Sequence, residues 1–338
     1  MSDIVTIWLP DPNATRICGR SLARTLYRTP ITIALCGEIG AGKTTFLQGF
    51  AEGLGVSEAV TSPTFALEQR YPTSAFGEFL HIDCYRLAAN AAAELIHASD
   101  EHRGIRCIEW PERLPANLQF RADIEITIKE EGNGRRLTAT FQDIAAPSLE
   151  KILEWRKNVL LPPHIAAHCD GVGVFAERLA NVILAKGFFA RPKILNTAGK
   201  LHDLLRFLDF SPDASPAEFT FSNDQRETWA AWRTKFPKLT RHEPGCALFL
   251  EEHGFSELGQ IIAVHGLRLP VESRRTIDQQ LLYYADKRVC GATVVSLDER
   301  FKDFRRRYGK GKQSEDGAIW YAEAKAVEES LFGGTPPS

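Results

Sequence analysis

Gly37-Glu-Ile-Gly-Ala-Gly42-Lys43-Thr44 fits the pattern G-x-x-x-x-G-K-[ST]. Glycines at this spacing let consecutive backbone N–H groups turn inward around phosphate oxygens. A helix starting at the loop's end points its positive end at the same anion. Lys43 would reach the β- and γ-phosphates, and Thr44 would ligate Mg²⁺. The nucleotide-binding candidates are therefore Gly37, Glu38, Ile39, Gly40, Ala41, Gly42, Lys43, Thr44 and Thr45. Such a site also needs an acid near the magnesium. Asp83 in "HIDCYR" and Glu109 in "IEWPE" stand at the ends of predicted strands. Each serves equally as that acid or as a surface carboxylate or helix cap.

A second set of chemically capable residues lies further along: His168, the pair His202–Asp203, His242, His265 and Asp286. Each falls in or beside a separate predicted helix, so six helical positions can aim at one centre. A single histidine on an apolar helix face is ordinarily a core residue; six such groups in order point to metal. Mixed imidazole and carboxylate favours Mn, Fe, Ni, Co or Zn over Mg²⁺. His168, His202, Asp203 and Asp286 suffice for one ion. His242 and His265 would hold a second, with Asp203 bridging. Two ions about 3.5–4 Å apart generate hydroxide and clamp phosphoryl oxygens. Lys287 and Arg206 are nearby cations that would hold a substrate phosphate or form structural ion pairs. His81, His97, His102, His164 and His253 are given no metal role.

These residues need elements to position them. The 338-residue length suits roughly two domains. Ile4–Leu9, Ile31–Cys36, Phe79–Cys84 and Ile105–Trp110 read as strands, Ala14–Tyr27 and Lys43–Leu54 as helices. The alternating run Asp123–Ile128, then "GNG" and "LTATF", predicts a hairpin. The mixture indicates a three-layer α/β domain. Beyond "AAPS" at residues 145–148, strand signals become sparse and helix signals recur. Pro163 opens a stretch ending at Gly187, and Pro192 opens the segment holding His202. Thr276 with Gln279 and Ser296 with Glu299 form capping boxes. The expected organisation is residues 1–147 α/β and residues 148–338 all-α.

Composition narrows the function. The formal net charge is −2, so no global positive field draws the chain to nucleic acid or membrane. The basic stretch Asp298–Lys312 reads as a solvated helix face. Seven cysteines, odd in number, widely spaced and without CxxC, argue against a disulfide framework or a cysteine zinc site. They read as buried thiols in a reducing cytoplasm. No signal peptide or membrane helix is expected.

"GEIGAGKTT", "TSPTF" (61–65), "HIDCYRL" (81–87) and "CIEWPE" (107–112) occur in one order with one spacing, and over about residues 1–145 the chain resembles the TsaE family. Those are P-loop ATPases of bacterial synthesis of threonylcarbamoyladenosine (t6A) at position 37 of tRNA. The resemblance implies ATP and Mg²⁺ as cofactors. Lys43 and Thr44 would bind nucleotide and Mg²⁺, Glu109 would complete the metal site, and Asp83 would be needed for hydrolysis. Thr61 and Thr64 would lie in a switch-like loop near the γ-phosphate. The implied partners are TsaB and TsaD, with tRNA reached indirectly through their complex. The alanine-rich stretch between Arg86 and Ile105 departs from the family pattern. Over about residues 150–310, "HC" (168–169), "KLHDLLR" (200–206) and "YADKRV" (284–289) resemble the HD-domain phosphohydrolases, all-helical and metal-dependent. That implies cleavage of a phosphoester, most often of a nucleotide, with Asp203 at the catalytic centre. Two other readings stand beside this bifunctional hydrolase: a non-catalytic nucleotide-dependent docking switch with a metal-stabilised scaffold domain, and a P-loop small-molecule kinase.

Overall fold

The computed structural model describes residues 2–118, 120–210, 221–236, 241–308, 315–334 and 337. The backbone packs into two compact units, residues 2–143 with 183–190, and residues 144–182 with 191–338.

The first unit is built on a seven-stranded mixed sheet. Its strands are β1 (Asp3–Leu9), β2 (Ile31–Cys36), β3 (Glu68–Pro72), β4 (Glu78–Asp83), β5 (Ile105–Glu109), β6 (Ile124–Glu131) and β7 (Gly134–Phe141). Their order is β1-β7-β6-β2-β5-β4-β3. The β2–β5, β2–β6 and β4–β5 pairs are parallel, and the outer pairs antiparallel. Helices cover both faces. On one, α1 (Pro12–Ala23) and α2 (Lys43–Gly53) bury Leu22, Phe46 and Phe50 against Ile33, Phe79 and Cys107. On the other, α3 (Ala89–Ala98) sets Ala92 and Ile96 against Leu80, Ile82 and Ile108. Successive residues of β4 and β5 thus serve opposite faces, as the pleat demands.

The 124–141 hairpin forms as the alternation predicts, with Glu131 paired to Gly134 across a two-residue turn. The α1 helix stops at Ala23, short of the expected Tyr27. Leu26 keeps its place in the core, so apolar periodicity outlasts the helix. The edge strand β3 gave no clear signal: its one buried residue is Tyr71, and it ends at Pro72.

The second unit is helical. It comprises α4 (Leu149–Asn158), α5 (Pro163–Ala185), α6 (Pro192–Leu201), α7 (Asn223–Arg233), α8 (His242–Glu252), α9 (Ser256–Ile262), α10 (Ile277–Arg288), α11 (Leu297–Tyr308) and α12 (Glu315–Phe332), the end of α5 lying with the first unit. One departure from an all-α expectation is a ribbon of β8 (Val289–Cys290) and β9 (Thr293–Val294), turned at Gly291 with φ +60°. Both predicted capping boxes are present, at Thr276–Gln279 and Ser296–Glu299. Of the basic stretch Asp298–Lys312, residues 298–308 belong to α11 and 309–312 lie outside the described residues.

Two devices fix the helices that carry the histidines. A Cβ on Gly199 would stand 2.4 Å from Gly173 Cα, so α5 and α6 cross at backbone contact, which only glycine permits. At the head of α6, the Arg191 guanidinium meets Asp278 of α10 at 3.1 Å, with both side chains fully buried. Asp278 also accepts the Arg191 backbone N–H at 3.1 Å. A buried pair of this kind destabilises strongly when broken, by about 3–5 kcal/mol, because the remaining charge is uncompensated.

Two candidate sites

The first site forms where parallel strands end. Gly37 follows β2, and Asp83 and Glu109 are register partners at the ends of β4 and β5. Ligands of open α/β sheets bind in the crevice outside such carboxyl ends. Gly37, Gly40 and Gly42 adopt φ values of +147°, +81° and +100°, the conformations that turn backbone N–H groups inward. Gly42 is the N-cap of α2, and Thr44 and Thr45 lie half-buried in its first turn. Glu38, Ile39 and Gly40 are exposed at the loop's tip, and Ala41 is buried beneath it.

The Lys43 ammonium donates to the carbonyls of Gly37 (2.7 Å) and Glu38 (3.0 Å) and lies 3.9 Å from the centre of the Trp110 ring. Burial lowers its pKa, against the pull of Glu109, Glu112 and Asp83. Glu109 Oε1 accepts a hydrogen bond from buried His81 Nε2 at 2.8 Å. Asp83 accepts from the Thr64 hydroxyl (2.6 Å), the Ser62 hydroxyl (3.3 Å) and the Tyr85 N–H (2.8 Å). Thr64 is thereby tied to the acidic strand end. Thr61 is not; its hydroxyl meets the Gln69 amide at 3.4–3.5 Å. The sequence reading missed Ser62, His81, Trp110 and Arg135. Arg135 donates to the Gly40 carbonyl at 3.3 Å from β7. "TSPTF" and "HIDCYR" contained the first two, but nothing in their spacing told which side chain would face which.

The second site joins six residues from separate stretches. His168 lies on α5, His202 and Asp203 follow α6, His242 opens α8, His265 follows α9, and Asp286 lies on α10. The structure brings all six together. His168 Nε2 is 3.1 Å from Asp286 Oδ1, and His202 Nε2 is 3.7 Å from both Asp286 Oδ1 and Asp203 Oδ2. On the other side of Asp203, Oδ1 is 2.8 Å from His242 Nε2 and 3.7 Å from His265 Nε2. The His242 and His265 Nε2 atoms are 3.0 Å apart.

The ring orientations are not accidental. Nδ1 of His168, His202 and His265 donates to the carbonyls of Gly291 (3.1 Å), Gly199 (2.7 Å) and Ile262 (2.7 Å). His242 Nδ1 donates to Asp209 Oδ2 at 2.8 Å. All four rings therefore present Nε2 to the centre, the arrangement that outer hydrogen bonds impose on metal-binding histidines. His202 Nε2 and Asp203 Oδ1 are buried without hydrogen-bond partners. Unpaired buried polar atoms cost stability, and a cation satisfies them. The spacings of 2.8–3.7 Å match donor atoms sharing an ion with bonds of about 2.1 Å. The residues present fit one or two transition-metal ions.

Charge agrees. Burial works against ionised Asp203, yet Arg206, His202 and His242 hold its carboxyl well below the usual range. Burial likewise opposes ionised Asp286, and Lys287, His168 and His202 overcome it. His265 goes the other way: burial pushes it down to about 4, so it is neutral at pH 7. Lys287 is buried against Asp286 and the His265 carbonyl and acts as a structural tie. Arg206 is about one-third exposed. Asp209 was missed, standing 33 residues before the histidine it holds.

Comparison with known proteins bears on the first unit. Residues 9–138 match the family model for "Threonylcarbamoyl adenosine biosynthesis protein TsaE". The tRNA threonylcarbamoyladenosine biosynthesis protein TsaE of a Synechocystis species is 40% identical over 113 residues, 32% of this chain and 71% of that one. That of a Nostoc species is 33% identical, covering 39% of this chain and 84% of its own. That of Haemophilus influenzae is 31% identical, covering 41% and 90%. A crystal structure of Bacillus subtilus YdiB aligns at 30% identity and a TM-score of 0.33, covering 42% of this chain and 87% of that one. Through residues 9–138 the chain belongs to the TsaE family.

Proposed function

We propose that the chain is a two-site enzyme, hydrolysing ATP with Mg²⁺ in the first unit and a phosphoester in the second. The first activity serves t6A synthesis in the cytoplasm with TsaB and TsaD, and reaches tRNA through their complex. It is supported by family membership and by the convergence of the glycine loop, Lys43, Asp83 and Glu109 at adjacent strand ends. Lys43 exchanges the Gly37 and Glu38 carbonyls for phosphate oxygens. Thr44 and Glu109 would hold the magnesium, which would neutralise charge on the phosphoryl group. His81 fixes the rotamer of Glu109. The Thr64–Asp83 bond couples the loop at 61–65 to the strand end, so the loop can sense the state of the phosphates.

The second activity is read as that of an HD-type phosphohydrolase acting on a phosphoester, most simply of a nucleotide. The single observation that carries it is the four imidazoles with Nδ1 tied down and Nε2 converging on two ionised aspartates. His168, His202, Asp203 and Asp286 would hold one ion, and His242, His265 and Asp203 a second. Such ions supply hydroxide and neutralise phosphoryl charge. Lys287 keeps Asp286 ionised and in place. Arg206, one-third exposed, already contacts His242 and Asp209, and would meet a substrate phosphate only from that position.

Elemental analysis of the purified chain, followed by a phosphoester screen with Mn²⁺ or Fe²⁺, tests the second reading. Stoichiometric metal and turnover, both lost in His202→Ala/Asp203→Ala, are expected. No metal above background, with no turnover, overturns it. For the first reading, Mg²⁺-dependent phosphate release from ATP that survives Lys43→Ala unchanged overturns the catalytic assignment.

A further inference from the structure

The four imidazoles of the histidine–aspartate centre are not held alike. His168, His202 and His265 lean on neutral main-chain carbonyls. His242 leans on a carboxylate that grips it twice: Asp209 Oδ2 accepts from the ring Nδ1 at 2.8 Å, and Oδ1 accepts from the His242 backbone N–H at 2.9 Å. A carboxylate behind an imidazole fixes the tautomer and strengthens the opposite nitrogen as a donor. Glu243 Oε2 also lies 3.3 Å from Nδ1, but its carboxylate is bridged by Arg241 at 2.6 and 3.2 Å. Asp209 is thus the anion that acts on the ring.

The same ring carries a cation. Arg206 Nη1 lies 3.1 Å from His242 Nε2 and 3.3 Å from Nδ1. It is also 3.6 Å from Asp203 Oδ1 and 3.6 Å from Asp209 Oδ2. Asp203 Oδ1 is the oxygen facing His242 and His265. That half of the centre therefore shares its principal anion with a guanidinium supplied by the chain. The other half, His168–His202–Asp286, has its nearest cation in Lys287, which is bound to Asp286 Oδ2 while Oδ1 faces the histidines.

We propose that Asp209 and Arg206 act in opposition on the Asp203 Oδ1–His242–His265 half, setting its cation affinity separately from that of the His168–His202–Asp286 half. Asp209 raises the affinity by holding His242 with Nε2 toward the centre. Arg206 lowers it, because its fixed charge competes with an arriving ion for Asp203 Oδ1. Both are positioning residues; neither is a ligand. The inference rests on reading the unit as a metal centre and adds that its two halves fill in sequence, with the order written into the residues behind them.

Titration of the metal-free full chain with Mn²⁺, followed by calorimetry and by elemental analysis after desalting, tests it. Wild type is expected to bind in two separable steps. Asp209→Asn is expected to weaken the second step about 10–100-fold. Arg206→Gln is expected to strengthen the same step about tenfold, since a positive charge a few ångströms from a divalent ion is removed. The first step should stay within about twofold in both. Opposite shifts confined to one step are not what general loosening of the fold produces. Equal shifts in both steps, or none, overturn the proposal. A single step in wild type and both variants also overturns it. No Mn²⁺ bound by wild type fails the metal reading itself, a distinct result. Should Asp209→Asn misfold, as judged by circular dichroism, the part-exposed Arg206→Gln decides the matter alone.

Discussion

The phosphate loop and the histidine–aspartate centre are assembled by opposite means. The loop's parts are nearly consecutive: residues 37–45 supply the glycine turns, the lysine and the helix start. Only two acids come from elsewhere, and the sheet delivers both through one register, Asp83 beside Glu109. The histidine centre has no local motif beyond His202–Asp203. Its six members span residues 168 to 286 and depend on five helices being set at the right depth and rotation. A contiguous site inherits its geometry from backbone conformation. A dispersed site inherits it from packing, such as the Gly173–Gly199 crossing and the buried Arg191–Asp278 pair. Damage should therefore travel differently in the two.

Lys43→Ala removes a charge aimed at the transferred phosphoryl group, so ATP hydrolysis should fall about 10²–10³-fold, as for loss of one preorganised electrostatic contact. Metal content of the helical unit should not change. Phosphate release and elemental analysis on the same preparation test the contrast, and a parallel fall in metal breaks it. The converse is Asp278→Ala, at the start of the helix whose other end carries Asp286. It removes the carboxylate that faces the buried Arg191 guanidinium, and breaking a buried pair of this kind should cost the helical unit about 3–5 kcal/mol. Metal should be lost with it. Denaturant unfolding and metal analysis measure both effects. Retention of full metal would mean the dispersed centre is less dependent on helix placement than its geometry implies.

A smaller effect is expected at His81, which sharpens the view of the contiguous site. His81→Phe keeps an aromatic ring in the core but removes the donor to Glu109. The Mg²⁺ concentration for half-maximal ATP hydrolysis should rise about 10–100-fold, the usual scale for losing an outer-shell partner. Nucleotide binding without Mg²⁺ should stay as in wild type. An unchanged Mg²⁺ requirement would remove His81 from the site and leave its bond to Glu109 a matter of core packing.

What could be read from the sequence follows the same division. The loop, the hairpin at 124–141 and the two capping boxes were legible because each is set within a few residues. Asp83 and Glu109 could be named, but their neighbourhood could not, since it arises from strand pairing. The six centre residues could be chosen by chemistry and order. Of their outer partners, Gly199 and Ile262 are local, each three residues before its histidine, whereas Gly291 and Asp209 become partners only through packing and could not be read. Ser62 was passed over for Thr61 because a hydroxyl's direction depends on the loop's path, and that path carries Ser62 and Thr64 to Asp83. The 289–294 ribbon escaped because two-residue strands leave no period to detect.

The smallest expected effect tests whether the dispersed centre tolerates loss that is purely local. Thr276 caps α10, accepting from the Gln279 N–H at 3.2 Å while the Gln279 side chain accepts from the Thr276 N–H at 3.1 Å. Thr276→Ala removes one half of that exchange and should cost about 1 kcal/mol. The cost falls at the start of α10, and Asp286 sits more than two turns further on. The Arg191–Asp278 pair, two residues into the same region, still fixes the helix's place. Metal stoichiometry should therefore match wild type while the unfolding midpoint of the helical unit drops. Loss of metal at so small a cost in stability would mean that α10 is held chiefly by its cap, and the buried ion pair would then be a consequence of the helix's position instead of its cause.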